Sequence, residues 1–439
     1  VKPLDFGRSD DPRVQAQLDR LSALSVPQGR LGLDTIRTLL DRLGNPHRKL
    51  PPVFHVAGTN GKGSTCAFLR AMLEAEGYKV HVTTSPHLVR YNERIRLAGE
   101  LISDAMLAEV LAEVLDTGED LGPSFFEVTI AAAFLAFSRV PADACVVEVG
   151  MGGRFDATNV LEPEALAACG IAALGLDHER FLLAPEEGVP QEPMARIAFE
   201  KAGIAKRGVP LVTMGELYPP EAQAAIHAQT EGAGAKLIAL GDRWHLRNYD
   251  GDALWYQDAD EDFSASAGSL RGAHQLYNLA LASAMLRHQD RIVVGIDNII
   301  KGSTRAQWPA RLQKLSDGPL TWLVRGRAVW LDGGHNPQAG AMLAEHFEHQ
   351  SLHLVIGMIE GKDPTGFLAP LAPVLESITV VPVPGHDWKP VEAFGPQARF
   401  AADLWDAMRG IPEDGLPILI AGSLYLAGEV LRLNDELPG

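Results

Sequence analysis

Apolar runs of strand length alternate with amphipathic, helix-length segments along most of the chain. The runs at residues 53–56, 79–83, 144–149, 166–174 and 210–214 are continuous, as in parallel strands buried on both faces. Glycine, polar residues or a helical period follow each of them. The first half therefore predicts a mostly parallel sheet covered by helices, with ligands gathered at the strands' carboxyl ends. Between residues 237 and 270 the texture changes to short alternating runs, 244–249 and 253–257, separated by Asp-Gly and acidic clusters, which predicts a small antiparallel annex. A helix is expected over 273–288. Gly, Ser, Thr and Pro gather at 301–309, and further strands are expected at 328–331, 352–357, 377–382 and 417–421. The fold class is α/β, with a larger domain over 1–300 and a smaller one over 301–439, and a cleft between them would suit a reaction with two substrates.

Charge changes the picture first. The chain has 439 residues, with 39 Lys and Arg against 56 Asp and Glu, a net charge of −17. Such an excess of acid works against gripping a nucleic acid. With 46% hydrophobic residues the composition is that of a globular protein. Residues 1–12 carry no apolar core of a secretory signal, and the apolar stretch 128–137 is half the roughly 20 residues a span needs. It reads as a core helix, and no membrane partner is expected. Cys66, Cys145 and Cys169 are widely spaced without a C-x-x-C pair, which fits a reducing, cytoplasmic setting.

The strongest local signal is His55-Val56-Ala57-Gly58-Thr59-Asn60-Gly61-Lys62-Gly63-Ser64-Thr65, between an apolar strand and a helix expected over 66–76. Glycines let backbone N–H groups face a phosphate, the helix start adds partial positive charge, and Lys62 a full one. The spelling departs from the common phosphate-loop pattern, because Val56 replaces its first Gly and Gly63 separates Lys62 from Ser64. After the second strand, Thr84-Ser85-Pro86-His87 and Arg90 to Arg94 suit a loop reaching over phosphates or a metal; a solvated loop is the plain alternative. Glu148 lies inside an apolar strand and requires a partner, either Mg²⁺ beside bound phosphate or a buried Lys or Arg. His178 follows an apolar strand and becomes a metal candidate only in the company of Glu148. Ser124-Phe125-Phe126-Glu127 and Gly152-Gly153-Arg154-Phe155-Asp156-Ala157-Thr158-Asn159 read equally as a pocket for a flat substrate or as core packing. His274 and Asn278 share one helix face, either for contact or in solvent. Asp332 and His335 would close a strand ahead of a helix capped by Asn336 and opened by Pro337, and Arg311 would either face the cleft or lie on the surface.

Taken in order, residues 58–64, 84–95, 148–154, 176–178, 200–204, His274-Gln275 with Asn278, and 332–337 resemble the folylpolyglutamate synthase and dihydrofolate synthase family, relatives of the Mur ligases. The resemblance runs from about residue 30 to the closing Gly422-Ser423-Leu424-Tyr425-Leu426. It implies a P-loop-type N-terminal domain and a Rossmann-like C-terminal one. It also implies ATP-driven ligation of L-glutamate to a folate or dihydropteroate carboxylate by a monomer, through an acyl phosphate. Asn60, Gly61, Lys62 and Gly63 would hold ATP phosphates. Ser85, Glu148 and His178, with Ser64 as a further candidate, would bind Mg²⁺. Lys201 would be carbamylated by CO₂ and support a second Mg²⁺. Asn278, Arg311 and Asp332 would contact ATP, and His335 is a catalytic candidate beside Lys62 and Lys201. Ser124, Phe125, Phe126, Glu127, Phe155, Asp156 and Ala157 match the family's dihydropteroate pocket. The family's Pro-Gly-Arg appears here as Pro309-Ala310-Arg311, its Asp-Gly-Ala-His-Asn as Asp332-Gly333-Gly334-His335-Asn336, and residues 179–191 depart from its usual wording. A Mur-type ligase on a nucleotide-sugar precursor and a P-loop kinase or NTPase are the alternatives. The first is disfavoured by the aromatic segments. The second leaves Asp332 and its neighbours without a purpose.

Overall fold

The computed structural model describes residues 9–24, 32–177, 179–250 and 253–439. They form two compact units. The first holds the chain up to Pro86, Arg90–Ser269 and Ala273–Gln307, and the second holds His87–Val89, Leu270–Gly272 and Trp308–Gly439.

In the first unit β1 (Val53–Ala57), β2 (Val80–Thr83), β3 (Ile95–Leu97), β4 (Glu100–Leu101), β5 (Ala144–Glu148), β6 (Leu166–Ile171), β7 (Pro210–Thr213) and β8 (Lys236–Ala239) make one sheet in the order β4-β3-β2-β5-β1-β6-β7-β8. The six strands from β2 to β8 in that order are parallel, and β3 and β4 add an antiparallel edge. Strands β1, β2, β5, β6 and β7 are buried at every residue, which explains their continuous apolar runs. The chain leaves β1 for β2, skips a place that β5 later fills, and afterwards enters β6 on the other side of β1. Such a reversal opens a crevice at the carboxyl ends of the strands beside it. Register places Glu148 opposite Val56, so the phosphate loop after β1 and the acid ending β5 share that edge.

The expected annex is present as β9 (Trp244–Asp250), β10 (Ala253–Asp258) and β11 (Asp262–Ser266), antiparallel in that order. The Gly251-Asp252 turn expected between the first two lies outside the described residues. Trp244, Tyr256 and Phe263 stack in its core, and Arg287 makes a double hydrogen bond to Asp258. Residues 237–239, expected at the margin of this annex, instead belong to β8, the last parallel strand of the main sheet.

In the second unit β12 (Gln313–Lys314), β13 (Val329–Leu331), β14 (Leu352–Ile356), β15 (Leu375–Val380), β16 (Arg399–Phe400) and β17 (Ile418–Ala421) run in the order β12-β13-β17-β14-β15-β16, parallel except for β12. Alternate residues feed two cores. Ile418 and Ile420 join Val355 and Leu331 on one face, and Leu419 and Ala421 join Leu354 and Ile356 on the other. Among the described residues no helix is long and apolar enough to cross a membrane.

Candidate active site

The turn after β1 works because two residues lack side chains. Gly58 has φ +149°, and a Cβ there would lie 2.9 Å from the Cβ of Ala172, just beyond β6. Gly61 has φ +84° and abuts the Asn278 carboxamide so closely that a Cβ would collide with it. Asn278 sits on the helix Ala273–Arg287, is buried, and donates from Nδ2 to Gln275 Oε1 at 3.1 Å, so it does not lie in solvent. The helix after the loop starts at Lys62 and runs to Glu76, earlier than the expected residue 66. The reason is that Gly61 in the left-handed region turns the chain directly into the first helical residue. The amides of Lys62, Gly63 and Ser64 therefore form a first turn without intrahelical acceptors, a positive rim suited to phosphate.

Lys62 Nζ donates to Gly58 O at 3.1 Å and Thr59 O at 3.2 Å, and Lys201 Nζ reaches the same Gly58 O at 2.9 Å from the helix Pro193–Ala202. Burial holds the Lys201 ammonium down to about 7, helped by the Lys62 charge and opposed by Asp177, Asp156 and Glu200. Two side chains so distant in sequence thus converge on one carbonyl of the phosphate loop.

Glu148 is buried at the end of β5, where its Oε2 accepts the Ser85 N–H at 2.9 Å. Ser64 Oγ and Thr65 Oγ1 are buried without a hydrogen-bond partner in the described structure. Asn60, Gly63 and Ser64 lie on the same turn. The donor set is one carboxylate and hydroxyls, and among the described residues no three His, Cys, Asp or Glu side chains converge. His178 lies outside the described residues. Oxygen donors of this kind suit a hard divalent cation that keeps waters and phosphate oxygens in its shell.

Several segments expected to line a substrate pocket also hold the backbone. Ser124 and Glu127 cap the helix Phe125–Arg139 reciprocally: the Ser124 N–H donates to Glu127 Oε2 at 2.7 Å, and the Glu127 N–H to Ser124 Oγ at 3.3 Å. Asp156 is buried and accepts from the Met151 and Thr158 N–H groups, while burial raises its pKa against those bonds. Thr158 Oγ1 also meets His55 Nε2 at 2.8 Å, and burial lowers the His55 pKa to about 3, so that ring is neutral. The half-buried aromatics remain available. Phe126 packs against Gly150 just past Glu148, and Phe155 lies beneath the Arg154 guanidinium at 4.3 Å. Ala157 is buried in the turn beside them.

Arg154, which the sequence marks only as a member of the 148–154 and 152–159 segments, organises this region. Its guanidinium bonds Glu186 and Glu200, and Arg196 joins the same two acids. Gly153 crosses the Pro193–Ala202 helix so tightly that a Cβ would stand 2.7 Å from Glu200 O and 2.8 Å from Lys201 O.

In the second unit Asp332 follows β13, is buried, and accepts the Leu312 N–H at 2.8 Å and the Gly334 N–H at 2.7 Å. Burial raises its pKa, and the neighbouring Arg311 charge opposes the rise. Arg311 is half-buried and donates to Ala310 O at 2.9 Å. Its neighbours Ala310 and Leu312 have φ of 56° and 44°, left-handed values that cost energy in any residue with a Cβ and that fix where Arg311 stands. His335 Nδ1 lies 3.0 Å from Gly333 O, and Asn336 caps the helix Pro337–His346 as expected. The structure thus brings together Asn60, Gly61, Lys62, Gly63, Ser64, Ser85, Glu148, Lys201 and Asn278 in the first unit. It separately gathers Arg311, Asp332 and His335 in the second.

A phosphate loop facing a strand-end carboxylate, followed by a second α/β unit with its own Arg and Asp at a strand end, defines the class of ATP-dependent carboxylate–amine ligases. No family model matches the chain. The dihydrofolate synthase/folylpolyglutamate synthase of Bacillus subtilis is 32% identical over 437 residues, covering 91% of this chain and 94% of that protein. Escherichia coli FolC in complex with DHPP and ADP superposes with a TM-score of 0.83 at 29% identity, covering 96% of this chain and 97% of the other. The bifunctional enzyme of Yersinia pestis, complexed with AMPPNP and Mn, gives 0.80 at 27% identity, covering 95% and 97%. The chain belongs to the folylpolyglutamate synthase/dihydrofolate synthase family.

Proposed function

We propose that this protein adds L-glutamate to the carboxylate of dihydropteroate or a folate at the cost of ATP, as a monomer in the cytoplasm. The observation that carries the reading is the meeting of Lys62, Lys201, Ser64, Ser85 and Glu148 around the turn after β1. Three free, buried thiols suit a reducing compartment.

Asn60, Gly61, Lys62 and Gly63 bind the triphosphate, and Lys62 exchanges its two loop carbonyls for phosphate oxygens. Asn278 holds the nucleotide from the adjoining helix, and Arg311 and Asp332 are the second unit's contributions. Ser64, Ser85 and Glu148, with His178, hold Mg²⁺, which when bound neutralises charge on the phosphates. The substrate carboxylate oxygen attacks the γ-phosphorus; the new P–O bond forms as the bond to ADP breaks, giving an acyl phosphate. The glutamate amine then attacks the acyl carbon, phosphate departs, and the amine loses a proton, for which His335 is the assigned group. Phe125, Phe126 and Phe155, framed by Ser124, Glu127, Asp156 and Ala157, hold the flat ring system.

Lys201 is the site we assign to carbamylation. Its neutral Nζ would bond to the carbon of CO₂ and release one proton, leaving on Lys201 a carbamate anion that would be able to hold a second Mg²⁺. An ammonium held at about 7 supplies neutral amine at physiological pH.

Phosphate release and product mass test the function with ATP, L-glutamate and either dihydropteroate or tetrahydrofolate. Release that needs both organic substrates is expected. Glu148→Gln should lower kcat at least about 100-fold. Undiminished turnover in that variant contradicts the metal assignment.

A further inference from the structure

Arg94, expected from the sequence on a loop reaching over phosphates or a metal, has no part in the reaction proposed above, and its side chain is 0% exposed. A guanidinium is rarely taken out of water unless its surroundings are built for it. Its Cζ lies 5.4 Å from the Tyr91 ring and 5.3 Å from the Phe125 ring, both within cation–π range. Those two rings meet edge to face, 6.0 Å apart and 88° inclined. Tyr91 is anchored by its hydroxyl to Thr129 Oγ1 at 2.6 Å, and Thr129 Oγ1 donates to Phe125 O at 2.9 Å. Arg94, Tyr91 and Thr129 therefore form a buried cradle whose half-buried edge is Phe125.

The backbone of the same residue reaches the other half of the site. Arg94 O accepts the Thr84 N–H at 3.2 Å, and the next residue, Ser85, gives its N–H to Glu148. One residue thus touches the aromatic edge through its side chain and the Ser85–Glu148 pair through its carbonyl.

We infer that Arg94 is a positioning residue that sets the Phe125 ring as a platform for the flat heterocycle and keeps it in register with the Ser85–Glu148 pair. The inference rests on the assignment of Phe125 to that substrate. Replacing the cation by an apolar side chain of similar length removes the hold on the ring but leaves the carbonyl in place. Recognition of the heterocycle should therefore suffer more than recognition of the nucleotide.

Steady-state kinetics of Arg94→Met, Arg94→Lys and Phe125→Ala, with melting temperatures alongside, test this. Arg94→Met is expected to raise KM for dihydropteroate about tenfold while KM for ATP stays within about twofold, and Arg94→Lys should recover part of the loss. If Phe125→Ala raises the dihydropteroate KM but Arg94→Met does not, the positioning role is overturned and the platform stands. If Phe125→Ala has no effect, the platform assignment fails and the inference with it. Parallel rises in both KM values also overturn the inference, because a general loss of structure moves both. Should Arg94→Met not fold, Arg94→Lys decides: a selective rise supports the role, and an unchanged dihydropteroate KM contradicts it.

Discussion

Lys201 shows how far one side chain's surroundings set its chemistry. Its ammonium falls from an ordinary 10.5 to about 7, chiefly because burial disfavours the charge. Above 10.5 the lysine is neutral folded or unfolded; between about 7 and 10.5 the unfolded chain binds the extra proton, so stability rises with pH across that window, and below it the penalty is constant. Lys201→Met should abolish this rise, which amounts to about 2 kcal/mol between pH 7 and 9 in urea unfolding. An unchanged slope would contradict the burial. Activity should also fall on removal of dissolved CO₂ and recover with bicarbonate, more steeply at pH 8 than at pH 6, since the neutral amine must be present to react. At this scale the sequence shows residue type but not commitment. Glu148 stands out because a carboxylate in an apolar run demands a partner. Ser124 and Glu127 invite a substrate role, although S-x-x-E is also the spelling of a capping box, which the structure forms.

Strands β1, β2, β5, β6 and β7 were legible as continuous apolar runs because every residue of each is buried, whereas the parallel strand β8, only partly covered at the end of its sheet, was not. Strands β3, β4, β12 and β16 were not legible either, being two or three residues long at or next to sheet edges with exposed or charged positions. The close crossing of residues 150–159 over the Pro193–Ala202 helix was likewise hidden, because a glycine that permits approach looks the same in sequence as one that permits a turn. Gly153→Ala tests it: the new Cβ must push the Glu200 and Lys201 carbonyls away, so a loss of about 1–3 kcal/mol and a sharp fall in kcat are expected. A second lever lies at the end of β6, where the buried Tyr218 hydroxyl bonds Ile171 O and Ala172 O and accepts the Met214 N–H. Tyr218→Phe leaves those groups unpaired and should cost about 1–3 kcal/mol by denaturant midpoint. Because Ala172 abuts Gly58, KM for ATP should rise as well. A wild-type midpoint would show the hydroxyl to be dispensable.

At the scale of the molecule, the change of texture around residues 301–309 comes just before β12 (Gln313–Lys314), the first strand of the second sheet, and each sheet has its own strand–helix rhythm. The short excursions His87–Val89 and Leu270–Gly272, which cluster with the second unit, leave no local mark, since they are defined by contacts with residues of that unit remote in sequence. The strand order that puts Glu148 beside the turn after β1 is likewise a property of the whole sheet. It turns two separate sequence motifs into one place for a triphosphate and its cation. The most direct measurement incubates the purified protein with ATP, Mg²⁺, L-glutamate and dihydropteroate and weighs the products. One glutamate added per phosphate released, with no release when any organic substrate is left out and almost none from Glu148→Gln, is the expected result. Phosphate freed from ATP alone, with dihydropteroate recovered unchanged, and tetrahydrofolate likewise when it is added in its place, would contradict it.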